Sequence, residues 1–237
     1  MIKVLQSWSD IGEAIGYLQE SGQNKNNRVF HTTPIKNWDL AQIAQLLRNY
    51  NKDIKILDLG CGGNNVLRLC YKQGFRHVYG IDLNITLNDR WQQFTLFKSN
   101  NFRLPYHISS QSITRTTFQN SFFDVLICLS VIEHHVDLNS FYHESSRILK
   151  KDGLLYLSTD YWDKKINTSD APVNYGTIAG IEWNIFSKKE IFKLIQLARK
   201  YKFVLYKSQS IPNVNKPIVN WNTKQYTFIS LIFKKMI

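Results

Sequence analysis

The stretch Lys55-Ile56-Leu57-Asp58-Leu59-Gly60-Cys61-Gly62-Gly63-Asn64-Asn65 most constrains this chain, because an apolar run breaks there into a glycine-rich turn. Such a run reads as a buried strand ending in a ligand-binding loop. Gly60, Gly62 and Gly63 lack Cβ atoms, so the backbone can take unusual φ/ψ values and lie close against a bound molecule. Val66 to Lys72 then resumes an apolar helical pattern, which puts the loop at a strand-to-helix turn, where α/β sheets hold ligands. Two familiar readings fit its spacing poorly. A Walker loop requires Lys and then Ser or Thr after its second Gly, and neither follows. A dinucleotide fingerprint requires a third small residue at the place of Asn65.

A second apolar run, Phe75 to Asn84, closes on Asp82, completing the β-α-β repeat of a parallel sheet. An acid at the tip of the second strand can accept hydrogen bonds from both ribose hydroxyls of a nucleoside ligand. Asp82 is therefore the strongest single ligand candidate. An Asp merely capping a turn is the plain alternative.

Asp58-Leu59-Gly60-Cys61-Gly62-Gly63 resembles the first motif of class I S-adenosylmethionine-dependent methyltransferases, an acid followed by Gly-x-Gly and a small residue. Asn120-Ser121-Phe122-Phe123-Asp124, the apolar run to Leu129, and Ser130-Val131-Ile132-Glu133-His134 are similar to the small-molecule group called type 11. Arg147 to Thr159 is similar to the helix, Gly turn and fifth strand of the same family. The resemblance covers roughly residues 50 to 235. It implies a doubly wound, Rossmann-like sheet of seven strands, mostly parallel, with one antiparallel strand. It also implies S-adenosyl-L-methionine as cofactor. Gly60 and Gly62, with Cys61, would border its methionine part, Asp58 would orient its amino group and Asp82 would hold the ribose, with Leu83 and Leu129 alongside. The family usually carries an Asp after the third strand for the adenine amino group, whereas this chain has Ser110-Gln111-Ser112. Gln111 or Ser112 would supply a neutral acceptor there. His31 and Thr33, just before the sheet, are weaker candidates for cofactor contacts.

Methyl transfer from a sulfonium is an in-line displacement, so a protein mainly supplies orientation, a dry pocket and, for hydroxyl acceptors, a base. His134 is the candidate base, since imidazole titrates near neutral pH. Glu133 is expected to orient it or to face the acceptor itself. A purely structural His and Glu at a strand end is an equal alternative. Some related ubiquinone-pathway enzymes use a divalent metal with a similar Glu-His motif. No complete ligand set is present here, and no metal is expected.

Around this centre, residues 1–50 read as an N-terminal helical cap and 51–237 as the methyltransferase domain. Ile11, Ala14, Ile15 and Leu18 mark a first helix ending at Ser21-Gly22; Gln23 to Arg28 is a polar linker; Asn37 is expected to cap a second helix. Lys151-Asp152-Gly153 is expected to stop the helix that begins near Asn139. Residues 160–186, rich in Tyr161, Trp162, Tyr175 and Trp183, are expected to form an acceptor-binding insertion.

The 237 residues suit one domain with a full core. The net charge of +12 allows an anionic acceptor, and after Glu190 the chain has no acid at all. Its lysines are nevertheless scattered, and the Asn/Asp-Pro-Pro-aromatic motif of nucleic-acid base methyltransferases is missing after the fourth strand. Both facts weigh against a nucleic-acid substrate, although an RNA methyltransferase and a non-catalytic cofactor-binding subunit stay as alternatives. The start of the chain lacks a signal-peptide core, no long apolar span occurs, and Cys61, Cys70 and Cys128 read as reduced thiols, all consistent with the cytoplasm.

Overall fold

The computed structural model describes residues 1–21, 31–175, 178–207 and 210–237, with only the backbone of Tyr175 and Ile178. The expected linker Gln23 to Arg28 and the helix stop at Gly22 lie outside the described residues. In chain order the elements are β1 (Ile2–Val4), α1 (Trp8–Glu20), α2 (Asn37–Leu47), β2 (Lys55–Leu59), α3 (Asn65–Lys72), β3 (His77–Asp82) and α4 (Leu87–Ser99). Then come β4 (His107–Ser110), β5 (Phe123–Leu129), α5 (Leu138–Ile148), β6 (Leu149–Trp162), β7 (Val173–Tyr175), β8 (Ile178–Ile181) and β9 (Phe186–Ser187). The chain closes with α6 (Lys188–Lys200), β10 (Phe203–Leu205), β11 (Val219–Trp221) and β12 (Lys224–Lys235).

The sheet has ten strands rather than the expected seven: its path runs β1-β12-β6-β5-β2-β3-β4, with β10 and β11 paired to β12 and β9 to β6 off this path. Every pairing made by β12 is antiparallel and every other pairing along this path is parallel, as the resemblance implies. Successive residues of the central strands feed opposite faces. Ile56, Val125, Ile127 and Tyr156 join the core under α1, α2 and α3, while Leu57, Leu126, Cys128 and Leu157 join the core under α5 and α6. Because β12 is apolar on both sides for this reason, its hydropathy shows little alternation. The strand order reverses between β2 and β5, which places the ends of both strands at one crevice.

Three local expectations are corrected. The first residues form not only helices but an edge strand, β1, which pairs Ile2 with Leu231 and Val4 with Ile229. Asn37 does not cap α2: its amide folds the preceding turn instead, accepting from the His31 amide at 2.8 Å and donating to the Pro34 carbonyl at 3.0 Å. The helix before β6 ends at Ile148, earlier than Gly153. The positive φ belongs to Asp152, at 63°, whereas a Cβ on Gly153 would press within 2.9 Å of the Asp124 carbonyl. Gly153 thus serves close strand approach rather than helix termination.

Residues 160–186 are more structured than a plain loop. Tyr161 is fully buried in the long strand β6, and β7 and β8 form a hairpin. Trp183 is buried against Trp221 and Tyr226, so it belongs to the core, and it does not line the cleft that holds Asp82. The side chain of Tyr175 lies outside the described residues.

Candidate active site

The turn after β2 is built by its neighbours. Gly60 has φ +87°, and its amide and that of Cys61 both donate to the Ile81 carbonyl, at 2.8 and 3.0 Å. A side chain at Gly60 would strike Val131 as well as suffer the left-handed backbone. Gly62 donates to Asp82 Oδ2 at 3.1 Å and Gly63 to Asp89 Oδ1 at 3.1 Å. Asp89 is also the N3 residue of the Thr86 capping box that starts α4. The sequence reading does not single it out, although the spacing Thr86-x-x-Asp89 is the signal that would have found it.

Asp82 is buried at the end of β3 and accepts two backbone amides, from Gly62 and, at 2.9 Å, from Asn84. With Gly60 and Leu83 it lines a cleft of about 420 Å³, closed by Ser112, Ile113, Ser130, Val131, His134 and Ile181. A smaller recess of about 140 Å³ continues inward, lined by Lys36, Asp58, Gly60, Gly62, Leu129 and Ser130, with His31 at its edge. Gly60 and Ser130 border both spaces. Ser130 holds φ +50°, an uncommon conformation for Ser, at the tip of β5.

The recess has charged groups in its lining, Asp58 and Lys36. Asp58 is buried with Oδ1 lacking any hydrogen-bond partner, and burial, with Asp82 nearby, pushes its carboxyl well above the usual range. Lys36 comes from the turn before α2, donates to the Ser130 hydroxyl and lies 4.0 Å from the centre of the Phe228 ring. Nothing local in the sequence marks Lys36, because it meets β5 across nearly a hundred residues of chain.

The remaining candidates divide. His134 lines the cleft half-buried; burial, and then the charge of Lys36, hold its imidazole below the ordinary histidine range, and its Nδ1 is turned into the protein. Glu133 points the other way. It is almost fully buried, accepts from Thr159 Oγ1 at 3.1 Å, and its carboxyl is pushed up by burial and by the neighbouring Asp160. The structure therefore does not set Glu133 against His134 or the cleft. Gln111 is also spent elsewhere: its Oε1 accepts from Thr117 N at 2.8 Å and its Nε2 donates to Ser109 Oγ at 2.9 Å. Ser112, paired with Thr114 Oγ1 at 2.8 Å, is the one of the two that reaches the cleft. The Cys61 thiol is buried beside Gly80, so only the backbone of Cys61 borders the loop. Among the described residues no group of His, Cys, Asp and Glu could hold a metal ion.

Comparison with known proteins agrees with this geometry. Residues 57–157 match the family described as methyltransferase domain, type 11. The chain is 28% identical over 218 residues to the ubiquinone biosynthesis O-methyltransferase of Pelagibacter ubique, covering 85% of this chain and 87% of that protein. It is 32% identical over 120 residues to the protein of the same name from Rickettsia canadensis, covering 49% of this chain and 48% of that one. The fold is similar to the crystal structure of a putative sarcosine dimethylglycine methyltransferase from Galdieria sulphuraria. That match has a TM-score of 0.61 at 13% identity and covers 94% of this chain and 98% of the other.

Proposed function

We propose that the chain is a class I S-adenosylmethionine-dependent methyltransferase acting on a small molecule, and that it methylates the oxygen of a neutral hydroxyl acceptor seated against His134. The observation that carries this reading is the place of His134: a half-buried imidazole whose pKa burial lowers, lining the same cleft as Gly60 and Asp82. The relatives named as O-methyltransferases support oxygen as the acceptor atom.

The residues present fit the cofactor. Asp58 Oδ1 is a buried acceptor without a hydrogen-bond partner on a residue that lines the recess, as a ligand ammonium would require. A cation there would also return the Asp58 carboxyl to its ionised form. Lys36, which lines the same recess, supplies the opposite charge for a carboxylate. Asp82, already oriented by two amides, accepts from the ribose hydroxyls. Leu83 and Ile113 offer apolar contact to the adenine, with the Ser112 hydroxyl at its edge.

When bound, S-adenosylmethionine supplies a methyl carbon on a positively charged sulfur, already activated for displacement. The chain's own work is then orientation and proton transfer. Val131, Val136 and Ile181 give the acceptor side an apolar wall that excludes water. The His134 imidazole, which lines the cleft, takes the hydroxyl proton. Among the described residues no Lys or Arg lines this cleft, which favours a neutral acceptor over an anionic one. The basic residues after Glu190 likewise lie outside its lining, which weighs against a nucleic-acid substrate.

The test is transfer of a labelled methyl group from S-adenosylmethionine to a panel of phenols and catechols beside amines, carboxylates and RNA. Label on hydroxyl acceptors alone, abolished in His134→Ala while cofactor affinity stays, is the expected result. Label on amines or RNA, or full activity of His134→Ala, overturns the assignment.

A further inference from the structure

Helix α4 is apolar on the side that faces water. Leu87, Trp91 and Phe94, spaced by four and three, form one stripe with Lys98. That stripe is open to solvent, with Leu87 89%, Trp91 63% and Phe94 42% exposed. The inward side carries Asp89, which anchors Gly63, and Leu96, which packs on the core. The exposed aromatic surface runs on beyond the stripe. Ring centres are 5.8 Å apart for Trp91 and Phe94, 6.4 Å for Phe94 and Phe97, and 5.5 Å for Phe97 and Phe102. Leu83, four residues before Leu87 in the chain, is likewise exposed and lines the cleft.

The charge on this face has one sign. From Leu83 to Leu104 the cations are Arg90, Lys98 and Arg103, all exposed, and the single acid, Asp89, is buried. Lys98 Nζ lies 4.9 Å from the centre of the Phe94 ring, so cation and aromatic surface are presented together. A contiguous apolar surface of this kind marks an interaction site. Large apolar side chains flanked by Lys and Arg suit the boundary of an anionic bilayer, where rings enter the headgroup level and cations meet lipid phosphates. A second copy of the chain is the poorer partner, because it would set Lys98 and Arg103 against like charges.

We propose that the Leu87-Trp91-Phe94 face of α4 docks on an anionic lipid surface, with Lys98 and Arg103 at its edge. Since exposed Leu83, which lines the cleft, lies four residues before Leu87, docking of this face would bring the cleft mouth toward the bilayer, where an apolar acceptor would be held. The proposal does not depend on which atom is methylated.

The experiment is flotation of the full chain with vesicles of phosphatidylcholine alone or mixed with phosphatidylglycerol, beside sedimentation velocity without lipid. Thermal melting checks that each variant is folded, which is expected because the substituted residues are exposed. The wild type should float with the mixed vesicles only. The triple variant Leu87→Ser/Trp91→Ser/Phe94→Ser should lose at least about tenfold in partitioning, and Lys98→Glu/Arg103→Glu should lose the preference for anionic lipid. Absence of wild-type flotation, or flotation of the triple variant at the wild-type level, overturns the proposal. So does a lipid-independent dimer that the triple variant abolishes, which would assign the face to a second copy.

Discussion

Asp82 accepts a hydrogen bond at Oδ2 from the backbone amide of Gly62 at 3.1 Å, so the residue that ends β3 also fixes the glycine loop that follows β2. The ribose anchor and the methionine cradle of the proposed cofactor site are thereby one unit. Disturbing either disturbs both.

Replacing Asp82 by Ala should therefore weaken cofactor binding by roughly a hundredfold or more, the loss of two hydrogen bonds to a charged group being worth about 3 kcal/mol. The Gly62 and Asn84 amides lose their partner at the same time, so the melting temperature of the free protein should also fall. Calorimetric titration and thermal melting check the two parts separately. Unchanged affinity would remove Asp82 as the ribose ligand.

Lys36→Met should separate the two ends of the cofactor. Binding of S-adenosylhomocysteine, which carries the amino acid, should weaken by about tenfold or more, as expected for one charge-assisted hydrogen bond. Binding of methylthioadenosine, which lacks the carboxylate, should hardly change. Equal losses for the two ligands would show that Lys36 acts on the fold and not on the carboxylate.

The transfer rate should report the lowered pKa of His134. A base works only when deprotonated, and burial holds this imidazole below the ordinary value of 6.5. The single-turnover rate should accordingly be flat above neutral pH and fall on the acid side, at a pH below that ordinary value. His134→Gln should lack this limb altogether. A limb that persists in the variant belongs to another group.

Glu133 makes a prediction about stability. Its carboxyl is pushed up to about 8, chiefly by burial and then by Asp160. The folded state therefore binds more protons than the unfolded state between the ordinary glutamate range and that value. Stability should be highest at the acid end of this window and decline as pH rises through it. Glu133→Gln keeps a side chain of the same shape without the titration. Urea unfolding at a series of pH values should give a shallower decline for the variant, and an identical slope would contradict the buried-acid account.

What the sequence made legible was what lies close along the chain. The strand, glycine turn and helix from Lys55 to Lys72 follow from local pattern, and Asp82 follows because the next strand tip must face the same crevice. The order of the parallel strands came through the family resemblance, since the weak alternation in β12 carries little information. Contacts made over long separations stayed hidden. Lys36 reaches Ser130 from a turn before α2, and β1 finds β12 at the opposite end of the chain. Polar residues were over-read for the same reason: Gln111 and Glu133 stand in suggestive positions, but Thr117 and Thr159 hold their side chains. Two aromatic residues of the 160–186 stretch were over-read as well, because Tyr161, inside β6, and Trp183 are core.

The central claim is that the Gly60 loop and Asp82 bind S-adenosylmethionine. Calorimetric titration of the purified chain with S-adenosylmethionine and, separately, with NAD tests it most directly. The account predicts saturable binding of S-adenosylmethionine near one site per chain, with no heat from NAD beyond dilution. Binding of NAD, or of neither ligand, would contradict it.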